Sequence, residues 1–320
     1  MALIEPFMVK SETDVDAGES VELEAKSGES LLVKDVIIYN SNDEYVLLEV
    51  EKTTVGFFRV DGHTLGSHLA CNRTKANETA QYMGFKAESS ITLLSYMIRK
   101  GWMRGYPVAE GQTFRVKPYT SGKKLGNVAI IYEKYDAGDI KPTDDNGSEA
   151  RTYTFINYGR PSSSLTTSGD YEVNTCITTE EFPDFPFNAA VPSKTTIEIL
   201  GILGSEVINY SASDTYTQTK YLKMFKGRTV LFDRDKQGIP FYQFVFSGIG
   251  TGTFFGVGYS LIGNYTSRDR REPFVPPTPL VFKEGEELKI FITASQGTNA
   301  GTIGVKYAEI GLIERVTIAE

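Results

Sequence analysis

The chain has 320 residues, 41 acidic and 33 basic side chains, and a net charge of −8. A chain this acidic repels phosphate backbones overall, so no direct sequence-specific nucleic-acid binding is expected. Hydrophobic residues at 40% argue against wholesale disorder, and the length suits two domains of ordinary size.

Residues 1–7 lack a basic leader, and Glu5 and Lys10 interrupt any apolar run, so no signal peptide is expected. Residues 1–17 read as an N-terminal arm outside the first domain. Beyond them, short apolar stretches alternate with Gly and polar turns, the pattern of many short strands. Residues 27–39 read as a polar turn entering a long apolar strand, and 44–51 and 54–60 as two further strands. Residues 77–83 and 91–98 read as short helices, the second with Leu94, Met97 and Ile98 on one face. Strands at 106–116 and 126–132 close a first sandwich over 18–137.

Residues 138–186 read as a connecting strap. They are polar at 139–149 and 160–170, and Pro183 and Pro186 alternate with Phe182, Phe185 and Phe187 at the far end. A second sandwich is expected over 187–320. It opens with a turn and strand at 192–203, and continues with a helix at 217–225 stopped by Gly227. Strands follow at 229–232, 241–246 and 254–259. Residues 239–267 carry no charge, but Gly248, Gly250, Gly252, Gly256, Gly258 and Gly263 break any spanning helix, so no transmembrane helix is expected.

Two segments repeat. Residues 106–116 and 280–290 each hold a Glu-Gly turn, Glu110-Gly111 and Glu284-Gly285, followed by a strand of period two, Phe114/Val116 and Leu288/Ile290. After a polar turn, 126–132 and 301–307 each end six residues past a glycine, at Tyr132 and Tyr307. The turn and strand at 27–39 also resemble 192–203. Each half therefore opens and closes alike. The fold class expected is all-β: two tandem jelly-roll sandwiches with a few short helices in loops.

The residues that carry chemistry are sparse. His63 and His68 follow Asp61 in a glycine-rich loop, short of the three or four spaced ligands of a metal site. Residues 144–149 have the composition of a calcium loop without its ligand spacing, and 248–253 resemble a phosphate loop without its Lys or βαβ setting. There is no GxSxG, so no nucleophile elbow is expected. Arg268, Arg270 and Arg271 are interrupted by Asp269 and read as a solvated loop. Cys71 and Cys176 lie in different halves, which excludes a disulfide framework and leaves both pairing and free thiols open. Five sequons, at Asn72, Asn77, Asn146, Asn209 and Asn264, are candidate N-glycosylation acceptors. No catalytic, cofactor-binding or metal-ligating residue is assigned, no cofactor is expected, and the chain reads as a non-enzyme. A sugar- or receptor-binding sandwich stays open beside this, although Trp102 is the one tryptophan available as a flat platform. So does a β-sandwich glycoside hydrolase, which needs two carboxylates across a cleft.

Two similar all-β halves in one acidic chain, each opening at 27–39 or 192–203 and closing through Glu110-Gly111 or Glu284-Gly285, resemble the double jelly-roll major capsid proteins. These build icosahedral shells in adenoviruses, membrane-containing bacteriophages and turreted archaeal viruses. The resemblance is architectural and covers roughly residues 21–318. It implies a virion protein whose partners are copies of itself: a homotrimer with a pseudo-hexagonal outline, neighbouring capsomers, and penton or minor capsid proteins. Residues 315–320 end with the last strand, so contact with an internal membrane would fall to the arm from Met1 to Val15.

Overall fold

The structure, a computed structural model, describes residues 3–39, 41–60, 69, 92–138, 150–163, 167–175, 187–209, 215–233, 239–240, 243–246, 256–259, 273–298 and 304–319. The expected helix at 77–83 lies outside them. The chain divides into two compact units whose boundary, at Ile156/Asn157, falls within the strand Ala150–Pro161, which belongs to the sheet of the second unit.

The first unit contains β1 (Leu3–Val15), β2 (Val21–Glu24), β3 (Glu29–Tyr39), β4 (Tyr45–Val50), β5 (Thr53–Arg59), helix α1 (Leu93–Arg99), β6 (Tyr106–Val108), β7 (Thr113–Pro118) and β8 (Gly126–Asp136). One antiparallel sheet has the order β1-β8-β3-β6 and the other β2-β7-β4-β5. That arrangement of eight strands is a jelly roll. The inner faces meet through aromatic side chains. Tyr106 on β6 stacks on Phe114 of β7 with centroids 5.9 Å apart, and its hydroxyl reaches Gly56 on β5. Phe58, Phe114, Val46 and Leu48 are fully buried in the same layer. At these positions β-branched and aromatic residues bury against the facing sheet, and the alternation in β2 and β7 follows from the pleat.

The second unit contains β9 (Ala150–Pro161), β10 (Gly169–Thr175), β11 (Thr195–Asn209), β12 (Thr215–Lys226), β13 (Thr229–Phe232), β14 (Ile239–Pro240), β15 (Gln243–Phe246), β16 (Gly256–Tyr259), β17 (Leu280–Lys283), β18 (Leu288–Thr298) and β19 (Gly304–Ala319). The strand path is β13-β12-β18-β10-β9-β19-β11-β17. β10 joins its two halves: Gly169–Glu172 pair with β18, while Val173–Thr175 pair with β9. Read on either side of that corner, the orders are β9-β19-β11-β17 and β10-β18-β12-β13. Strand for strand this is the jelly roll of the first unit, with β14 to β16 inserted where the first unit has α1. Across the layers, Lys226 on β12 donates to the Val281 carbonyl on β17 at 2.9 Å and covers the Phe282 ring.

The repetition extends to single hydrogen bonds. Gly111 N–H donates to Ala25 O at 2.8 Å, and Gly285 N–H to Val191 O at 2.9 Å. Ala25 N–H returns to Gln112 O, and Val191 N–H to Glu286 O. The Glu110 carboxylate accepts from Gly28 N–H at 2.8 Å, and the Glu284 carboxylate from Lys194 N–H at 2.9 Å. Glu51 N–H donates to Thr113 O and Gly227 N–H to Glu287 O. Gly111 and Gly285 have φ of 78° and 77°, left-handed values that cost a glycine nothing. Even a bulge recurs: β3 slips against β8 between Val33 and Asp35, and β11 slips against β19 between Ile199 and Gly201. Bulges are retained as features of a fold, so a shared one ties the halves together more closely than strand order alone.

Several expectations need correction. Residues 1–17 are not an arm outside the sandwich: Leu3–Val15 form edge strand β1, paired with β8. Residues 138–186 are not simply a strap, because β9 and β10 lie within them and open the second jelly roll. β9 buries Phe155, Ile156, Asn157 and Tyr158 in succession, so it lacks the alternation that marks a strand. The helix expected at 217–225 is strand β12. Its ladder with β18 and the period-two burial of Leu222 and Met224 override its helical spacing. Tyr307 is not the counterpart of Tyr132. Tyr132 pairs with Val33, five residues past Gly28, whereas Ile199, five past Lys194, pairs with Glu314. The helix expected at 91–98 is α1, N-capped by Thr92, whose Oγ1 accepts from Ser95 N–H at 3.0 Å. No helix among the described residues is long and apolar enough to cross a membrane.

Candidate functional site

Strand β1 lies at the edge of its sheet, paired with β8 on one side. Of its thirteen residues only Val15 is buried. The pairing breaks between Leu3 and Glu5, between Glu5 and Met8, and between Glu12 and Val15. At each break β1 carries one more residue than β8, which bends the strand and turns its side chains outward. Leu3, Ile4, Phe7 and Val9 are 48%, 46%, 66% and 47% exposed. They are four of the five large hydrophobics exposed to this degree among the described residues; the fifth is Val275. An exposed apolar edge is a template for another chain, and native proteins normally blunt or cover it. β1 is therefore the candidate interaction surface.

Two buried acids lie elsewhere. Asp35, on β3 at the shared bulge, accepts from Thr92 Oγ1, from Ser95 Oγ at 2.7 Å and from Val36 N–H at 2.9 Å. It fastens the N-terminus of α1 to the sheet. Burial holds its carboxyl above the usual carboxylate range, against the three hydrogen bonds. Glu314, on β19, is fully buried. One oxygen accepts from Asn157 Nδ2 on β9 at 3.4 Å, and the other has no partner among the described residues. Burial pushes this carboxyl well above the usual range, against the Asn157 hydrogen bond. The two acids belong to separate units, and the hydrogen bonds each accepts come from its own unit.

An open groove in the second unit is lined by Lys226, Arg228, Glu286, Glu287 and Lys289. Its charges are largely spent on one another. Lys226 bonds Glu286 at 2.7 Å and holds that carboxyl below the usual range, and Lys289 pairs with Glu287 at 3.4 Å.

Asn209 is the last residue of β11, paired with Gly304. Asn72, Asn77, Asn146 and Asn264 lie outside the described residues, as do His63, His68, Cys71, Cys176 and the segments 144–149, 248–253 and 268–271. Among the described residues no group of three or more His, Cys, Asp or Glu is placed to hold a metal. Sequence reasoning missed Asp35 and Glu314. The available signal was a single acid inside an apolar run, at 31–38 and 310–316. It also assigned Leu3, Ile4, Phe7 and Val9 to an arm rather than to a strand.

No family model matches the chain, and no curated protein matches it. Among solved structures, the crystal structure of an IolB-like protein from Salmonella typhimurium LT2 aligns over 98% of this chain and 82% of that one. The identity is 11% and the TM-score 0.17.

Proposed function

We propose that the chain is a structural virion protein, a major capsid protein whose copies assemble as a homotrimer of pseudo-hexagonal outline into an icosahedral shell. One observation carries the reading: the chain holds the same eight-stranded jelly roll twice, down to a shared bulge and shared turn hydrogen bonds. Three copies then carry six like lobes, so a three-fold ring presents near-six-fold contacts to its neighbours and tiles a closed surface. Chains with this role work through obligate self-contacts, of about 2,000 Å² or more each. The exposed apolar edge of β1 supplies a surface suited to such a contact.

The test is the mass of the purified chain by multi-angle light scattering, followed by electron microscopy of concentrated samples. The reading expects a species of three times 35.5 kDa, with sheets or shells at high concentration. A chain that stays at 35.5 kDa at every concentration, with no assembly in any salt, would sink it.

A further inference from the structure

We propose that β1 is an edge through which two copies of the chain pair, antiparallel and about a two-fold axis passing at Met8. This rests on the reading of the chain as a self-assembling coat protein and names the surface used between its building blocks.

The strand's exposure is not explained by its own fold. It contributes Val15 to the core and leaves Leu3, Ile4, Phe7 and Val9 about half exposed or more, on an edge with no strand partner among the described residues. The sequence of β1 is complementary to itself in one register. Counting the extra residue that β1 carries between Glu5 and Met8, an axis at Met8 sets Glu5 of each copy against Lys10 of the other, twice over. Met8 then faces its own copy, the bulged Pro6-Phe7 pair faces Val9, and the bulged Leu3-Ile4 pair faces Ser11. Moving the axis by one position toward the C-terminus, to Val9, sets Glu5 against Glu12 twice. Moving it by one toward the N-terminus, to the Pro6-Phe7 bulge, sets Glu5 against Met8 and leaves Lys10 without a carboxylate opposite. A register centred on Ser11 sets Lys10 against Glu12 but leaves Leu3 and Ile4 outside the contact. Opposite charges directly across antiparallel strands stabilise the pairing and like charges oppose it, so the charges select the first register. Pro6 has no N–H and falls with Phe7 in the break between the Glu5–Lys134 and Met8–Tyr132 pairs. The contact is therefore led by side chains at its centre and by backbone pairing at its flanks. A bilayer is the poorer occupant, because Glu5, Lys10, Glu12 and Asp14 interleave the apolar residues and three of the four are acidic.

The experiment is sedimentation of the full-length chain and of the variants E5K, K10E, E5K/K10E and F7D over a concentration series. Each single charge reversal sets like charges face to face, and is expected to weaken association beyond the trimer by about tenfold or more. The double variant restores the opposite-charge pairs and is expected to return to within about threefold of wild type. F7D is expected to abolish the step while leaving the trimer intact. Single and double variants that behave alike, or all like wild type, would overturn the proposal. Trimers forming in that case would leave the coat-protein reading standing, whereas a chain monomeric throughout would remove both. Flotation with phosphatidylcholine vesicles, with and without phosphatidylserine, is the second arm. Vesicle binding lost in F7D, without any β1-dependent association, would assign the strand to a bilayer and overturn the pairing.

Discussion

The two jelly rolls share strand order, turn contacts and a bulge, yet they treat that bulge differently. In the first unit Asp35 sits at the bulge, and its carboxylate is satisfied by Thr92, Ser95 and the Val36 amide. In the second unit the equivalent position is Gly201. There the acid is Glu314, across the ladder at the slot where the first unit has a half-buried Tyr132. The same backbone irregularity thus supports a well-bonded acid that anchors a helix in one half and a poorly bonded buried acid in the other. A repeated fold constrains the backbone and the turn glutamates, while the chemistry at equivalent core sites is free to diverge.

The largest effect is expected where backbone approaches backbone in one unit alone. Gly105 has φ of 127°, and a Cβ there would lie 2.3 Å from the Val33 carbonyl oxygen. Gly105→Ala should cost about 3 kcal/mol or more. Hydrogen exchange should show the loss in β3 and β6, with β11 and β17 still protected; equal loss in both units would mean that the units unfold as one.

Next comes the bulge itself. Asp35→Ala removes three hydrogen bonds that tie the start of α1 to β3, at about 2–3 kcal/mol. The check is chemical denaturation with exchange read at α1, which should open first. An unaffected α1 would show that Thr92 capping suffices by itself.

Glu314→Gln tests the other half through pH. Below the ordinary value of 4.5 the acid is protonated in both folded and unfolded chains and costs nothing. As pH rises past 4.5, the unfolded chain ionises while the buried acid does not, so stability falls until the folded value is reached. The slope contributed is at most about 1.4 kcal/mol per pH unit. Gln at 314 should flatten that slope in melting curves taken from pH 4 upward, about half a unit below the ordinary value. Parallel curves for variant and wild type would refute an upward shift of the buried acid.

The smallest effect compares the turn glutamates. Glu284 accepts from Ser193 Oγ and Lys194 N–H, whereas Glu110 accepts from Gly28 N–H. Both are exposed, so Glu284→Ala and Glu110→Ala should each lower Tm by only about 1 °C, with Glu284 the larger. These hydrogen bonds hold Glu284 below the usual carboxylate range. Its share is present above pH 4.5 and fades as pH falls through the folded value.

The all-β class, the duplication and the turns at Glu110-Gly111 and Glu284-Gly285 follow from local sequence. A glycine at a left-handed turn and a period-two strand are set by nearest-neighbour sterics and by the pleat. Helix α1 was likewise readable, because a Thr cap and apolar spacing act within a few residues. Decisions that depend on distant partners were not readable in this way. β9 has no alternation to announce it and exists by pairing between β10 and β19. β12 carries helical spacing and is a strand because β18 offers it a ladder. The slot shared by Tyr132 and Glu314 is set by register across the sheet, which slips by one residue at the bulge and defeats alignment by glycine spacing. The candidate surface divides the same way. Leu3, Ile4, Phe7 and Val9 were visible as apolar residues, but only the pairing of β1 with β8 makes them an exposed edge. The sequence by itself determined what each segment could become and that the plan occurs twice. The tertiary structure decided which strand each segment pairs with, and therefore which side chains are buried and which face outward, because hydrogen-bond partners and burial are supplied from far along the chain.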